Sequence, residues 1–267
     1  MVCIIAAVAL GLFLPVGTAW AQNEIVVETP SRGVMLRALV IEPANPVGSV
    51  ILLAGGHGNL ALGKDGSIGW GSGNQLVRTR RDYARAGFVT IVPDASPDMK
   101  QGGGVKSGYR WSSEFATDIG AWVKHARGRK APVHLVGTSR AALTVAKVGT
   151  QVTGEGRPDT LTITAGMIVH VTNDQPSAER NVGNLGRITQ PTLLLWHAKD
   201  ACAYTPASSA ERAKKALSGA SKVDVVLLSG GSAGSGNPCE AKSHHGFLGI
   251  DDEVVRTVTA WLKANSK

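Results

Sequence analysis

His134-Leu-Val-Gly-Thr-Ser-Arg-Ala-Ala142 is the stretch that decides how the rest of the chain reads. An apolar run ends at Gly137, a serine stands at 139, and small helix-forming residues follow at once. This is the form of a nucleophile elbow, a sharp strand-to-helix turn that lifts a hydroxyl above the end of a sheet. Gly137 gives the backbone room to turn. The position that usually carries a second glycine is Ala141, one methyl larger. A serine between strand and helix is also an ordinary N-cap, so the flanking chain has to separate the two.

Outward from the elbow, strands and helices alternate. Residues 50–54 are a continuously apolar run of strand length, which predicts a buried strand, and 88–93, 133–136, 161–168, 192–196 and 223–228 are further strand-length, largely apolar segments. Between them, helical spacing appears over residues 74–86, 112–126, 140–148 and 206–217, and again in the final segment with Val254, Val255, Val258, Trp261 and Leu262. Two earlier strands, 24–28 and 35–42, precede this alternation. The pattern predicts an α/β domain with a mostly parallel central sheet and helices on both faces. Residues 169–189 form at most a small excursion, so no large lid domain is expected. A chain of 267 residues, 43% hydrophobic and 18% charged, fits one such domain.

The first 21 residues carry no charge, run apolar from Ile4 to Val16 and end in Ala19-Trp-Ala21. They read as a secretory signal peptide followed by a single mature domain over 22–267, although no Lys or Arg precedes the apolar run. The expected location is the periplasm or the extracellular space, with no membrane insertion once the signal is removed. Cys3 leaves with the signal, and the remaining pair, Cys202 and Cys239, is expected to form a disulfide in an oxidising compartment. The net charge of +8 is spread along the chain, with one local cluster at Arg78-Thr-Arg-Arg81, and reads as a solvated face. Basic residues are not interleaved with aromatics, so nucleic-acid binding is not indicated.

A hydroxyl nucleophile needs a base, and the base needs a carboxylate to orient it. In an open α/β sheet such groups gather past the carboxyl ends of the strands. Asp200 follows strand 192–196 by a short turn, and His245 closes the loop after strand 223–228, giving the chain order Ser139, Asp200, His245. Asp174 and His244 are the competing acid and base, and His170 and His197 are candidates to line a pocket. The loop Gly55-Gly-His-Gly-Asn59 opens after strand 50–54. Its glycines let backbone N–H groups approach a developing oxyanion, so Gly56 or His57 is expected to donate together with Arg140.

With these motifs in place the sequence resembles the α/β-hydrolase superfamily over about residues 35–265, and within it the secreted, dienelactone-hydrolase-like members. The resemblance rests on Gly137-Thr-Ser-Arg-Ala141, His197-Ala-Lys-Asp200 and His245-Gly-Phe247 ahead of a Trp-bearing last helix. It implies a serine hydrolase acting on a small ester through an acyl-enzyme, with no cofactor and no metal. A hydrolase fold that only binds a ligand or partner is the alternative. A Cys202–Cys239 bridge would tie the acid loop to the histidine loop. Arg140, directly after the serine, is expected to meet either a structural acidic or carbonyl partner or a substrate carboxylate. Gly58 to Lys64 matches most of a phosphate-binding loop, but Asp65 stands where a magnesium-binding hydroxyl belongs.

Overall fold

A computed structural model describes residues 23–266; the expected signal peptide lies outside the described residues. Ten strands run in chain order: β1 (Glu24–Ser31), β2 (Val34–Ile41), β3 (Gly48–Leu53), β4 (Phe88–Pro93), β5 (Lys100–Gln101), β6 (Gly104–Val105), β7 (Val133–Thr138), β8 (Thr160–Thr164), β9 (Thr192–His197) and β10 (Val223–Leu228). Eight of them form one sheet in the order β1-β2-β4-β3-β7-β8-β9-β10. β1, β2 and β4 pair antiparallel, and every other neighbouring pair is parallel. β5 and β6 make a separate two-residue hairpin.

The α-helices are α1 (Gln75–Arg78), α2 (Arg80–Arg85), α3 (Ser113–Arg129), α4 (Ala141–Gln151), α5 (Ala178–Asn181), α6 (Ala210–Ala216) and α7 (Asp251–Ala264). β3, β4, β7, β8 and β9 are buried at every residue, which requires helices over both faces of the sheet. α3 starts at Ser112, whose hydroxyl accepts the Phe115 N–H at 3.1 Å, and buries Phe115, Ile119, Trp122 and Val123. α7 carries three acids in its first turn, where they meet the positive end of its dipole, and buries Val254, Val255, Val258 and Leu262. No helix among the described residues is long and apolar enough to cross a membrane.

Three elements differ from the sequence reading, and each difference has a local cause. The helix expected over 74–86 is broken at Thr79, whose hydroxyl donates back to Gln75 O at 2.7 Å and leaves α1 and α2 as separate pieces. The segment expected as one helix over 206–217 starts with a 3₁₀ turn at Ala207–Ser209, so α6 proper is about two turns long. The strand expected over 161–168 stops at Thr164. Ala165 then takes φ +45°, and the chain folds over the elbow, where Met167 N–H donates to Ser139 O at 3.2 Å.

After β3 the chain adds β4 on one side of it and later β7 on the other. The strand order therefore reverses between β3 and β7, and a crevice opens past their carboxyl ends. The residues that emerge there are Ala54-Gly-Gly-His57 from β3 and Ser139 from β7.

Candidate active site

Ser139 sits at φ +55°, in the left-handed region that a non-glycine residue adopts only when its surroundings impose it. Those surroundings are specific. Ser139 N–H donates to Thr164 O at 2.9 Å, and Ser139 O accepts from Ala142 and Met167 N–H at 3.1 and 3.2 Å. Space is equally constrained: a Cβ on Gly137 would lie 2.6 Å from Val145 Cγ2 and 3.1 Å from Ala141 Cβ. Glycine at 137 is what admits the methyl of Ala141, so the alanine in the elbow is accommodated rather than strained. Ser139 is half-buried, and its side chain makes no hydrogen bond among the described residues.

Ser139 and His245 line the same cavity, of about 600 Å³, together with Gly56, His57, Trp70, Asn74, Arg140, Met167, Tyr204 and both bridged cysteines. His245 and Asp200 are brought together behind it. His245 Nδ1 lies 3.0 Å from Asp200 Oδ2, with their side chains 5% and 0% exposed. A carboxylate can only accept, so Nδ1 carries a proton and donates it; in the neutral ring the lone pair is then on Nε2. Nε2 is buried and has no partner among the described residues. Asp200 is itself fixed: its Oδ1 accepts from Cys202 N–H at 2.9 Å, and its Oδ2 accepts from the Thr205 hydroxyl at 3.0 Å. Thr205 Oγ1 is also 2.9 Å from His245 Nδ1. Nothing in the sequence pattern pointed to Thr205.

The histidine loop is held as firmly. Ser243 Oγ accepts the His245 N–H at 3.1 Å and donates to Pro238 O and Glu240 O, both at 2.8 Å. Gly246 passes so close to Ala241 that a Cβ would lie 2.0 Å from its carbonyl oxygen. Arg78 clamps the loop by donating to Ala241 O at 3.2 Å and Gly246 O at 2.6 Å while pairing with Asp251. Arg80 and Arg81 both pair with Glu24. The basic cluster read as a solvated face is thus structural. Cys202 and Cys239 form the disulfide expected of them, joining the acid turn to the histidine loop.

The N–H groups of Gly56, His57 and Arg140 make no hydrogen bond among the described residues, so all three remain free to donate. Gly56 has φ +58° and lies under the Trp70 ring, while a Cβ on Gly55 would lie 3.1 Å from Ser139 Cβ. His57 packs against Trp70 with centroids 3.7 Å apart and ring planes tilted by 35°, and its Nδ1 accepts from Asn59 N–H at 3.1 Å. Burial, with Arg110 and Arg140 nearby, lowers the His57 pKa from its ordinary value and so favours the neutral ring.

The other candidates separate from the site. Asp174 is exposed, and His244 stacks on His197 with centroids 4.2 Å apart. His197 donates to Gly230 O at 2.9 Å, and His170 accepts from Arg180 at 2.7 Å; neither of these pocket candidates lines the cavity. Each is held by a backbone or arginine partner that turns its ring away from that role. The structural partner expected for Arg140 is likewise not found: its side chain lines the cavity and makes no ion pair or hydrogen bond among the described residues. His134 is structural, in β7 with Nδ1 2.9 Å from Thr160 Oγ1.

The chain has the α/β-hydrolase fold. No protein-family model and no curated protein matches the sequence. Among solved structures, an esterase from Pyrococcus furiosus superposes with a TM-score of 0.62 at 14% identity, over 98% of this chain and 99% of the other. An alpha-beta serine hydrolase homologue from Coxiella burnetii gives 0.60 at 17% identity, over 90% and 97%. Dienelactone hydrolase from Anabaena variabilis gives 0.59 at 14% identity, over 92% and 99%. At such identities the hydrolase fold is what is shared, and the chemistry has to be argued from the side chains of this chain.

Proposed function

We propose that this protein is a serine hydrolase that cleaves small carboxylic esters through an acyl-enzyme. The observation that carries the reading is Ser139, held in a left-handed backbone conformation on the cavity that His245 also lines, with His245 oriented by Asp200. In this reading Ser139 Oγ attacks the acyl carbon as His245 Nε2 takes its proton. The carbonyl oxygen becomes an oxyanion, accepting from the N–H of Arg140 and from Gly56 or His57. When the tetrahedral intermediate collapses, the imidazolium gives its proton to the departing alcohol oxygen. Water, deprotonated by the same imidazole, then attacks the acyl-enzyme and releases the acid. Asp200 holds the imidazole in the productive tautomer and stabilises its charged form.

That two esterases or serine hydrolases and a dienelactone hydrolase share the fold supports the class of reaction. Cavity and loops favour small substrates over a lipid interface. Export, with removal of residues 1–21, accords with the Cys202–Cys239 bridge. A panel of p-nitrophenyl esters of graded chain length tests the proposal. Turnover of short esters that disappears in Ser139→Ala is expected; no turnover of any ester, lactone or thioester would favour the binding-protein alternative.

A further inference from the structure

Arg110 is buried, 4% exposed, yet no carboxylate lies within ion-pair distance of it among the described residues. Buried charges are ordinarily paired, because an unpaired one pays the full desolvation penalty. The nearby acids are committed elsewhere. Asp94 accepts from the N–H groups of Leu60 and Leu62 and pairs with Lys100. Asp118 pairs with Arg32. Arg110 makes one side-chain hydrogen bond, donating from Nη2 to Ala54 O at 2.7 Å, and its Nε has no partner. Burial brings its pKa down to about 10, so the guanidinium is still charged at neutral pH.

Its position gives this charge a use. Ala54 is the residue directly before Gly55-Gly-His57, and Gly58 is the residue directly after. Arg110 Nη1 packs against Gly58 so closely that a Cβ there would lie 2.0 Å from it. The guanidinium therefore spans both ends of the loop Gly55-Gly-His57, which lines the cavity and whose Gly56 and His57 N–H groups have no partner among the described residues. The Arg110 backbone is anchored separately: the Thr144 hydroxyl of α4, the helix begun by the elbow, donates to the main-chain Arg110 O at 2.7 Å. The Phe115 ring lies beneath, 5.4 Å from the guanidinium carbon.

We propose that Arg110 is a positioning residue for the reaction, a buried counter-charge whose negative partner appears only when the oxyanion forms at the Gly56–His57 loop. The inference rests on the reading of Ser139 as nucleophile. In the resting protein the cation has no anion to offset it, and an oxyanion accepting from this loop supplies one. Such an arrangement stabilises the transition state more than the bound ester, so it acts on kcat and leaves KM nearly unchanged. Gly58 is glycine for the same reason: any side chain there would displace the guanidinium.

The test compares Arg110→Lys, which keeps the charge, with Arg110→Gln, which keeps an N–H donor for Ala54 O without it. With p-nitrophenyl acetate, Lys is expected to retain kcat within about threefold and Gln to lose roughly thirtyfold, with KM within about twofold in both. The inhibition constant of phenylboronic acid, whose serine adduct is a tetrahedral anion, should weaken in Gln in step with kcat. Thermal melts accompany the kinetics, and if Gln does not fold, Arg110→Asn, which also keeps an amide donor without the charge, takes its place against Lys. Equal losses in the neutral and charged variants would reduce Arg110 to a tether for Ala54 and overturn the proposal, as would full activity in Gln. Failure of the underlying reading is distinguishable, because the wild type would then neither turn over the ester nor bind the boronic acid.

Discussion

Removing the Cys202–Cys239 bridge perturbs both the stability of the fold and the alignment of the site. The bridged residues are 37 positions apart, and closing a loop of that length stabilises by about 4 kcal/mol on the chain-entropy account. For a domain of this size each kcal/mol is worth roughly 2–4 °C, so the Cys202→Ser/Cys239→Ser double variant should melt about 10 °C lower. Its effect on rate should be smaller than its effect on stability. The Asp200 turn keeps its Thr205 and Cys202 N–H bonds, and the His245 loop keeps its Arg78 clamp. What is lost is the covalent tie between them, and a misalignment below 1 Å corresponds to a fall in kcat of about tenfold. The assay is a thermal melt with initial rates on p-nitrophenyl acetate, repeated in reductant; the double variant should be indifferent to reductant. A melting temperature within about 2 °C of wild type would refute the reasoning. So would two free thiols in the denatured, unreduced protein.

Thr205→Val removes the hydroxyl shared by Asp200 and His245 and should lower kcat by about tenfold with KM within twofold, as steady-state kinetics would read; unchanged kcat would make the contact incidental. In Gly55→Ala the new methyl meets Ser139 Cβ at 3.1 Å and Thr138 O at 3.2 Å. It should cost about 1–3 kcal/mol in chemical denaturation and at least tenfold in kcat/KM. His134 is pushed down to about 4 by burial. Between there and the ordinary value of about 6.5 the unfolded chain binds a proton that the folded chain refuses. The contribution is therefore complete above pH 6.5 and is lost as pH falls toward 4, by roughly 3 kcal/mol. Denaturation at pH 7 and pH 4.5 should show a smaller acid loss in His134→Gln than in wild type; equal losses would count against it.

The sequence exposed the sheet because buried parallel strands leave largely apolar runs, and β3, β4, β7 and β9 begin and end near where those runs do; β10, an edge strand with Asp224 in it, is legible from the apolar residues that flank that acid. It offered Ser139 and Asp200 as candidates because each follows a strand within a few residues, and His245 because it closes the loop after the last strand; the topology then brings those strand ends together. What it concealed depends on contacts across the fold. Thr205 reaches His245 across 40 positions, and Arg78 reaches Gly246 across 168. No local pattern encodes either. The early end of β8 was hidden for a different reason: Ala165 to Ile168 is apolar because it packs over the elbow, and apolarity alone does not separate that from a strand. Arg140 shows the reverse case, a residue whose place in sequence suggested a structural partner and whose side chain has none among the described residues.

Fluorophosphonate labelling followed by peptide mass spectrometry tests the nucleophile most directly, because that reagent phosphonylates a serine only when a neighbouring base activates it. The account predicts one adduct per chain, on Ser139, absent in Ser139→Ala and much slowed in His245→Ala, with both variants melting near the wild type. An unlabelled Ser139 in folded protein, or an adduct on another serine, would contradict it.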